Sequence, residues 1–571
     1  MVRSKIRTPS SRSTHDPKDA IVPSPWDSQA CLLLWLATCI SVFSFLFFYQ
    51  RSEILLYGDA VAHINIARRV FDSKTPGLLQ LGTVWLPLPH LLMIPFLLST
   101  NLWRLGVGGS IPSLAGYVLG VVGMFRLVRE TLRHQAEPDP AADLAAWIAA
   151  LTYAANPNLI YMQTTAMGEA VYLALFIWAV VYFAESMRGD AKALTKCGLC
   201  LGAACLTRYD GWFLAAAMSA VVVLARIIAA KSAGEPSAPA RWCPPAAKFV
   251  LIAAAAPALW LAYNGIVYRN PLEFENGPYS AKAIERKSQT SGNPGHPGSG
   301  NLPLAALYFV KSAEANVAAN PWLERLWLLL GLVACIAPGM IRSRTASVST
   351  TSRASLPLLF LLIPLPFYAL SVAYGGVPIF VPDFWPFTHY NVRYGLQLLP
   401  AFAVAVGFVV YLLMRSERLV PKLRTSGVIA VLALLLVSYA SVWSANPICL
   451  EEAQVNMRTR TQLERQLASW LEKLPPDATL LMYVGDHVGA LQRAGFPLRH
   501  VINEGNHRVW RQPADPEGLW ERALANPSQS ADYVVAFEGD PVWQAVAPLR
   551  LRALVEIHVS GQARAILYRA R

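Results

Sequence analysis

Nine apolar runs in this sequence are long enough to cross the hydrocarbon core of a bilayer, which is about 30 Å thick. A further apolar pair, 197–207 and 211–230, is divided by the polar turn TRYDG. Hydrophobic residues make up 54% of the 571 positions and charged residues only 15%, a balance that excludes a soluble globular chain. The sequence therefore predicts an α-helical polytopic membrane protein with about eleven transmembrane helices. The nine uninterrupted runs are 31–49, 107–125, 144–161, 170–185, 248–268, 325–341, 356–373, 395–414 and 425–444.

The basic residues predict the orientation of these spans, because Lys and Arg gather in the cytoplasmic loops of membrane proteins. We expect a multi-pass protein of the plasma (inner) membrane with a cytosolic N-terminus and an external, periplasmic C-terminal domain. The net charge of +13 then reports topology, and no basic soluble domain with interleaved aromatic residues predicts a nucleic-acid partner. The predicted cytosolic segments are 1–30, 126–143, 186–196, 226–248, 342–355 and 415–424.

The chain divides into three predicted parts. Residues 1–30 form a polar N-terminal tail, which we expect to be disordered. Residues 31–444 form a transmembrane domain, and residues 445–571 form a small external α/β domain. The predicted elements of that small domain are an amphipathic helix at 457–473, strands at 479–484, 498–502 and 532–537, a helix near 516–525, and a hairpin at 553–569.

Three external loops are predicted within the transmembrane domain, at 50–106, 269–322 and 374–394. The stretch VWLPLPHLLMIPFLL at 84–98 is apolar but interrupted by three prolines, which predicts a re-entrant or interfacial helix. The second loop combines charged residues with the run SGNPGHPGSGN, so we interpret it as a mobile lid that includes Tyr279 and Lys282.

A carboxylate follows the first predicted span directly. Asp59 lies in LLYGDAVAHINIARRV, in which Val61, Ile64 and Ala67 recur at helical spacing. This pattern predicts an amphipathic helix that rests on the bilayer, with an acid where the lipid headgroups meet water. An alternative is that Asp59 only caps the helix, because a carboxylate there accepts hydrogen bonds from free backbone N–H groups.

Four further ionisable residues lie at the same predicted membrane face. Glu169 begins a span, Arg208 and Asp210 occupy the turn LTRYDGW, and Arg393 opens a late span beside Tyr394. Ionisable groups this close to hydrocarbon are candidate functional sites. The alternatives are a helix-terminal acid for Glu169, a local ion pair within the turn, and a snorkelling side chain for Arg393.

Two arginines and two or more carboxylates on one face suit a reaction between a phosphate-bearing lipid and a hydroxyl. The forked donors of arginine stabilise a leaving phosphate, and a carboxylate at the interface can orient or deprotonate a hydroxyl. Arg393 fits the first role and Asp59 fits the second.

The order of these motifs resembles the GT-C class of membrane glycosyltransferases, which includes protein O-mannosyltransferases and the bacterial aminoarabinose transferase that acts on lipid A. The resemblance covers residues 31–414 and rests on YGDAVAHINIARRV, WLPLPHLLMIPF, NPNLIYMQTTAMGEAVY, LTRYDG and NVRYGLQLLPAFA. Many members have Asp where this chain has Glu169, and many have Pro where it has Tyr209. The WWD-type signature of oligosaccharyltransferases is absent, which disfavours transfer of an oligosaccharide to asparagine.

The resemblance implies an inverting glycosyltransferase that uses a polyprenyl-phosphate-linked sugar and acts on a lipid, glycan or protein hydroxyl at the outer membrane face. It implies that residues 31–444 are a catalytic domain. The class includes metal-dependent and metal-independent members, so no cofactor is assigned; the acids together with His63 or His90 are candidate ligands for a divalent cation. The implied site residues are Asp59 and Glu169 as catalytic groups, Arg393, Tyr394 and Arg208 at the donor phosphate, and His63, Asp210, Tyr279 and Lys282 as acceptor or lid residues.

Two other classes of function fit the composition. One is a transporter or flippase of a lipid-linked sugar, but such proteins carry inverted repeats and ionisable residues at mid-membrane depth. The other is a non-catalytic envelope assembly protein whose external domain binds a partner. The concentration of acids at one predicted face favours the enzyme.

Overall fold

The computed structural model of the protein describes residues 27–133, 139–232, 244–290, 295–341, 356–485, 487–506 and 516–571. Most of these residues are helical, and a small sheet lies near the C-terminus. The helices of the membrane part are α1 (Ser28–Gln50), α2 (Gly58–Arg69), α3 (Leu88–Leu97), α4 (Thr100–Arg104), α5 (Val107–Leu132), α6 (Pro140–Ala154), α7 (Pro157–Met162), α8 (Glu169–Met187), α9 (Ala191–Cys205), α10 (Asp210–Ser232), α11 (Pro244–Val267), α12 (Glu273–Asn276), α13 (Ala281–Thr290), α14 (Leu302–Ala315), α15 (Pro321–Ile341), α16 (Pro364–Tyr374), α17 (Leu399–Arg415) and α18 (Pro421–Ala445).

Helical segments lie at all eleven predicted spans, but those at 144–161 and 356–373 are each divided between two segments. Within the described ranges, eight segments are long and apolar enough to cross a membrane. Helices α6 and α9 have only 15 residues each, about 22 Å at 1.5 Å per residue, so they fall short of the span length. The eight segments are Ser28–Gln50, Val107–Leu132, Glu169–Met187, Asp210–Ile228, Pro244–Val267, Pro357–Tyr374, Val392–Arg415 and Pro421–Leu471, the last of which continues into the C-terminal domain.

The predicted span at 144–161 is wrong in its second half. Helix α6 ends at Ala154, and a separate short helix, α7, begins at Pro157. Proline disfavours helical backbone at the residue before it. Asn156 instead takes an extended conformation and caps α7, because its side chain accepts a hydrogen bond from the backbone N–H of Leu159.

Helix α5 lies at the centre of the bundle and packs against α1, α6 and α8. A Cβ atom at Gly116 would lie 2.8 Å from the backbone of Ala170, so glycine is required for α5 and α8 to approach this closely. The close contact fixes the start of α8, which carries Glu169.

The amphipathic helix predicted after the first span is present as α2, but its predicted position on the bilayer surface is wrong. Ile64 and Ala67 are fully buried, and so are polar residues such as Asn65 on the opposite side. The apolar side packs on α3 and α5, and the polar side is covered by the C-terminal domain. The apolar and polar faces of α2 are therefore both buried in contacts within the protein.

The prediction of a mobile lid at 269–322 is corrected in part. Helices α12, α13 and α14 occupy most of the segment, and only 291–294, within the Gly/Pro/Ser run, lies outside the described residues. Helix α14 packs against α16 and buries Ala305 and Phe309 completely. This part of the loop is bundle core, because its apolar residues recur at helical spacing.

The C-terminal domain has a five-stranded sheet with the order β2-β1-β3-β5-β4. The pairs β1–β2 and β1–β3 are parallel, whereas β3–β5 and β4–β5 are antiparallel. Parallel neighbours need crossover connections, and short helices supply them here. The predicted strands at 479–484 and 532–537, the helix near 516–525 and the hairpin at 553–569 are confirmed. The predicted strand at 498–502 is wrong in its first part, because Leu498–His500 is a 3₁₀ helix and only Val501–Ile502 is a strand. The elements are α19 (Ile448–Leu471), β1 (Leu480–Met482), α20 (Val488–Ala494), β2 (Val501–Ile502), α21 (Leu519–Ala525), α22 (Pro527–Ser530), β3 (Tyr533–Phe537), α23 (Pro541–Val546), β4 (Arg552–Ile557) and β5 (Ala565–Arg569).

Polar side chains hold this domain on α2 and α4. Asn65 donates a hydrogen bond to Gln492 Oε1 at 2.7 Å, and Gln492 in turn donates to the carbonyl of Trp103 at 2.9 Å. Arg104 pairs with Glu472 at 2.7 Å farther out. The buried amides satisfy one another across the interface, so the domain sits at a fixed place beside the end of the bundle that carries Asp59.

Candidate active site

Arg393 lies at the centre of the candidate site and contacts three carboxylates. Its Nη2 donates to Asp59 Oδ2 at 2.7 Å, its Nη1 donates to Glu452 Oε1 at 2.8 Å, and its Nε lies 3.3 Å from Glu169 Oε1. The guanidinium is almost fully buried. Because each of the three guanidinium nitrogens faces a carboxylate, Arg393 is held inside the protein and does not snorkel to the surface.

Arg208 lies beside Arg393 and contacts two carboxylates and a tyrosine hydroxyl. Its Nη1 donates to Glu169 Oε1 at 3.1 Å, its Nη2 donates to the hydroxyl of Tyr368 at 2.7 Å, and its Nε lies 3.5 Å from Asp210 Oδ1. The Tyr368 hydroxyl in turn donates a hydrogen bond to Asp210 Oδ2 at 3.2 Å, so Arg208, Tyr368 and Asp210 are mutually linked. Glu169 therefore bridges the two arginines.

Local structure explains where these carboxylates lie. Glu169 is the first residue of α8 and Asp210 is the first residue of α10. The free N–H groups and the dipole of a helix N-terminus favour a negative charge there. Glu452 accepts hydrogen bonds from the backbone N–H groups of Asn391 and Val392, at 3.1 and 2.8 Å, so it fixes the loop that carries Arg393.

Asp59 does not cap α2. The N-cap position belongs to Tyr57, and no side chain caps this helix end. Asp59 instead lies in the first turn and pairs with Arg393, so the alternative of a purely capping role is wrong.

Aromatic rings enclose the two arginines. The ring of Tyr394 lies 5.1 Å from Arg393 Cζ and 5.0 Å from Arg208 Cζ, and Tyr57 covers Arg393 at 5.2 Å. Such contacts between a guanidinium and a ring stabilise the cation and exclude water. Tyr57 is itself fixed, because its hydroxyl donates to the carbonyl of Cys449 at 2.8 Å.

The acids of this cluster differ sharply in exposure. The side chain of Asp59 is 39% exposed, whereas those of Glu169 and Glu452 are 1% and 2% exposed. Asp59 is therefore the carboxylate that a molecule arriving from outside can reach.

His63 lies one helical turn after Asp59, and its Nδ1 is 2.7 Å from Nε2 of His90. Both rings are buried, and Trp85 packs on His63 with 4.8 Å between ring centres. Burial lowers the pKa of His63 and lowers the pKa of His90 further, so both imidazoles are neutral at pH 7. The described residues contain no group of three His, Cys, Asp or Glu side chains arranged to hold a metal ion.

The structure brings together most, but not all, of the predicted site residues. Asp59, Glu169, Arg208, Asp210 and Arg393 form one network, with Tyr394 packed on both arginines. Lys282 instead pairs with Glu275 at 2.5 Å, and Tyr279 lies half exposed in the segment before α13.

Glu452 is the site residue that sequence reasoning missed. The sequence predicts Glu452 to be part of the external domain, yet the N-terminal part of α19 that carries it contributes to the cluster. One signal was available, since Glu452 lies three and four residues after the apolar Cys449 and Ile448 and so falls on the buried side of its helix.

Gly395 positions Arg393, which precedes it by two residues in a 3₁₀ segment. A Cβ atom at Gly395 would overlap the backbone of Ser312 in α14. We expect Gly395→Ala to destabilise the protein by about 1–3 kcal/mol, the usual effect of overpacking, and to displace Arg393. Thermal unfolding of the purified protein measures this effect. Gly331→Ala is the control, because a Cβ atom there would meet nothing within 4 Å; equal melting temperatures would contradict the prediction.

No known family profile matches the sequence, and no curated protein matches it by sequence comparison. Solved structures do match by fold. ArnT from Cupriavidus metallidurans bound to undecaprenyl phosphate aligns with a TM-score of 0.52 and 14% identity, over 95% of this chain and 98% of that one. The apo state of the same protein aligns with a TM-score of 0.54 and 12% identity, over 95% and 99% of the two chains.

An oligosaccharyltransferase from Archaeoglobus fulgidus, tethered to an acceptor peptide, also aligns, with 12% identity, over 89% of this chain and 69% of that one, at a TM-score of only 0.43. The alignments to ArnT cover nearly the whole of both chains, membrane part and C-terminal domain together. The chain is therefore a polytopic membrane protein with the fold of ArnT.

Proposed function

We propose that this protein is a glycosyltransferase of the GT-C type, which moves a sugar from a polyprenyl phosphate to the hydroxyl of an acceptor. One observation carries the proposal: an exposed carboxylate, Asp59, lies at 2.7 Å from a buried arginine in a cluster at the end of a membrane bundle. The ArnT structure that shares this fold was solved with undecaprenyl phosphate, which supports a polyprenyl phosphate as the donor carrier.

The proposed reaction is a single displacement with inversion at the anomeric carbon. The acceptor oxygen forms a bond to that carbon as the bond from the carbon to the phosphate oxygen breaks. The electron pair leaves with the phosphate, which becomes polyprenyl phosphate, and the hydroxyl proton passes to Asp59. A positioned carboxylate base contributes roughly 10²- to 10⁴-fold to such a step.

The exposure of the carboxylates around Arg393 supports a way for the donor to enter. Glu169 and Glu452 are sealed from solvent, whereas Asp59 is not. A phosphate oxygen that takes the Nη2 edge of Arg393 would therefore replace Asp59 and leave the other two contacts intact. Asp59 would then be released from Arg393 and could accept the proton of the acceptor hydroxyl.

The acceptor is a lipid, a glycan or a protein hydroxyl, and the reaction takes place at the outer face of the plasma membrane. Orientation is supported by the basic residues at the opposite ends of the helices, such as Arg126, Arg129 and Arg415. The site lies at one end of the bundle and its acids begin helices, an arrangement unlike the mid-membrane binding sites of transporters.

Purified protein in liposomes, supplied with polyprenyl-phosphate sugars, tests the proposal. We expect release of polyprenyl phosphate and a mass increase of the acceptor fraction, together with loss of one envelope glycan or lipid modification in cells that lack the protein. Assays with and without EDTA measure dependence on a divalent cation. Movement of the intact donor across the bilayer without cleavage would identify a flippase, and no turnover of any donor would favour an assembly protein.

A further inference from the structure

The hydrogen-bonded pair of His63 and His90 lies beside the candidate site and is not explained by the chemistry above. His90 is fully buried, and its second nitrogen, Nδ1, is buried without a partner among the described residues. The second nitrogen of His63, Nε2, makes no hydrogen bond there and is not sealed in the same way. The two free nitrogens therefore have different surroundings.

This difference assigns the proton between the rings. A neutral imidazole has one N–H donor and one bare acceptor nitrogen. If His63 donated, the Nδ1 of His90 would carry an N–H with no acceptor, and among backbone groups orphaned buried N–H donors are rarer than under-satisfied C=O acceptors. If His90 donates instead, its Nδ1 is a bare nitrogen, and His63 must carry its own proton on Nε2.

The position of His63 places its ring beside the charged residues of the site. His63 lies four residues after Asp59 and thus on the same side of α2, and Trp85 packs against its ring with an interplanar angle of 50°. The charged groups of the site that act on it electrostatically are Asp59, Glu169, Arg393 and Arg208, while Arg69 acts on His90. A neutral N–H donor in these surroundings suits an oxygen that gains negative charge.

We propose that His90 is a positioning residue that fixes the tautomer of His63, so that His63 Nε2–H donates a hydrogen bond to the phosphate of the bound polyprenyl phosphate. This inference rests on the proposed function for the identity of the lipid. His63 is then a phosphate-binding donor and not a second base, since its lone pair is occupied by His90. Among the described residues no carboxylate accepts a hydrogen bond from His63, so this N–H is available to the phosphate.

Three variants of His90 test the assignment, with undecaprenyl phosphate as the probe and its dissociation constant as the readout. His90→Gln places an amide donor where Nε2 lies, and we expect an affinity within about twofold of wild type. His90→Leu removes the donor. His90→Glu keeps a hydrogen bond but only accepts one, so it forces the proton of His63 onto Nδ1 and leaves Nε2 bare. For the last two we expect affinity to fall about tenfold or more, the effect of losing a hydrogen bond to a charged group.

The melting temperature of each variant separates folding from binding, and the comparison of Gln with Glu decides the question if the Leu variant fails to fold. Equal affinity for all folded variants would overturn the proposal. Glu binding as tightly as wild type would assign the opposite tautomer and also overturn it. Wild type that binds undecaprenyl phosphate but transfers no sugar would contradict the proposed function and leave this inference standing, whereas wild type that does not bind it contradicts the inference.

Discussion

Asp59→Asn is expected to lower the rate of sugar transfer by roughly two orders of magnitude or more while the protein remains folded. Asparagine keeps the shape of the side chain but removes the charge that would accept the hydroxyl proton. Arg393 retains Glu169 and Glu452 as partners, so the buried network survives. Asp59 does not cap α2, and its partly exposed ion pair contributes about 1 kcal/mol or less to stability. Initial rates and melting temperatures of the purified proteins measure both effects.

Glu472→Gln is the matched control for this variant. Glu472 also pairs with an arginine at 2.7 Å and is 45% exposed, but the pair lies on the surface where the C-terminal domain meets α4. We expect transfer by Glu472→Gln to equal that of wild type. Wild-type rates in a well-folded Asp59→Asn protein would show that Asp59 serves only as a partner of Arg393.

Arg393→Met is expected to destabilise the protein by about 3–5 kcal/mol, because it leaves Glu452 buried without a cation and leaves Glu169 with Arg208 as its only arginine partner among the described residues. Arg393→Lys is expected to fall between this variant and wild type. A lysine ammonium is a compact charge and cannot contact all three carboxylates that surround the planar guanidinium of Arg393. We also expect weaker donor binding in the lysine variant, since the two-pronged geometry is lost. Thermal unfolding and the donor KM measure the two effects.

Partial rescue identifies the cause of the instability. Combining Arg393→Met with Glu452→Gln removes the buried carboxylate charge that has lost its arginine, so the double variant should be more stable than Arg393→Met alone. Arg415→Met provides a control, because Arg415 pairs with Asp139 at 2.6 Å but is exposed to solvent, and we expect a change below about 1 kcal/mol. Similar melting temperatures for Arg393→Met and Arg415→Met would show that the contacts of Arg393 with its three carboxylates do not stabilise the fold.

The sequence by itself determined the helical framework. Apolar runs predicted where the long helices of the membrane part lie, because hydrocarbon requires continuous apolar stretches. Sequence patterns likewise predicted most strands of the C-terminal domain, except for the first part of the one at 498–502. The pattern could not separate α6 from α7, since the break at Asn156 and Pro157 lies within an apolar run.

The acids and arginines of the membrane part could be singled out from sequence as well, since charge is costly beside hydrocarbon. Asp59, Glu169, Arg208, Asp210 and Arg393 all entered the cluster for this reason. Tyr279 and Lys282 are predicted as lid residues only from the composition of their loop. Composition does not specify which surface a side chain faces, and Lys282 pairs with Glu275 instead.

Tertiary structure alone decided how these groups are paired. Arg393 and Asp59 are 334 positions apart, and Glu452 reaches the same guanidinium from a helix that sequence assigned to another domain. The periodicity of a helix specifies which of its faces is apolar, but not which helix will cover that face. For this reason the sequence predicts α2 on the bilayer, whereas it lies between the bundle and the C-terminal domain, where Asp59 is the most exposed carboxylate among the described members of the charge network.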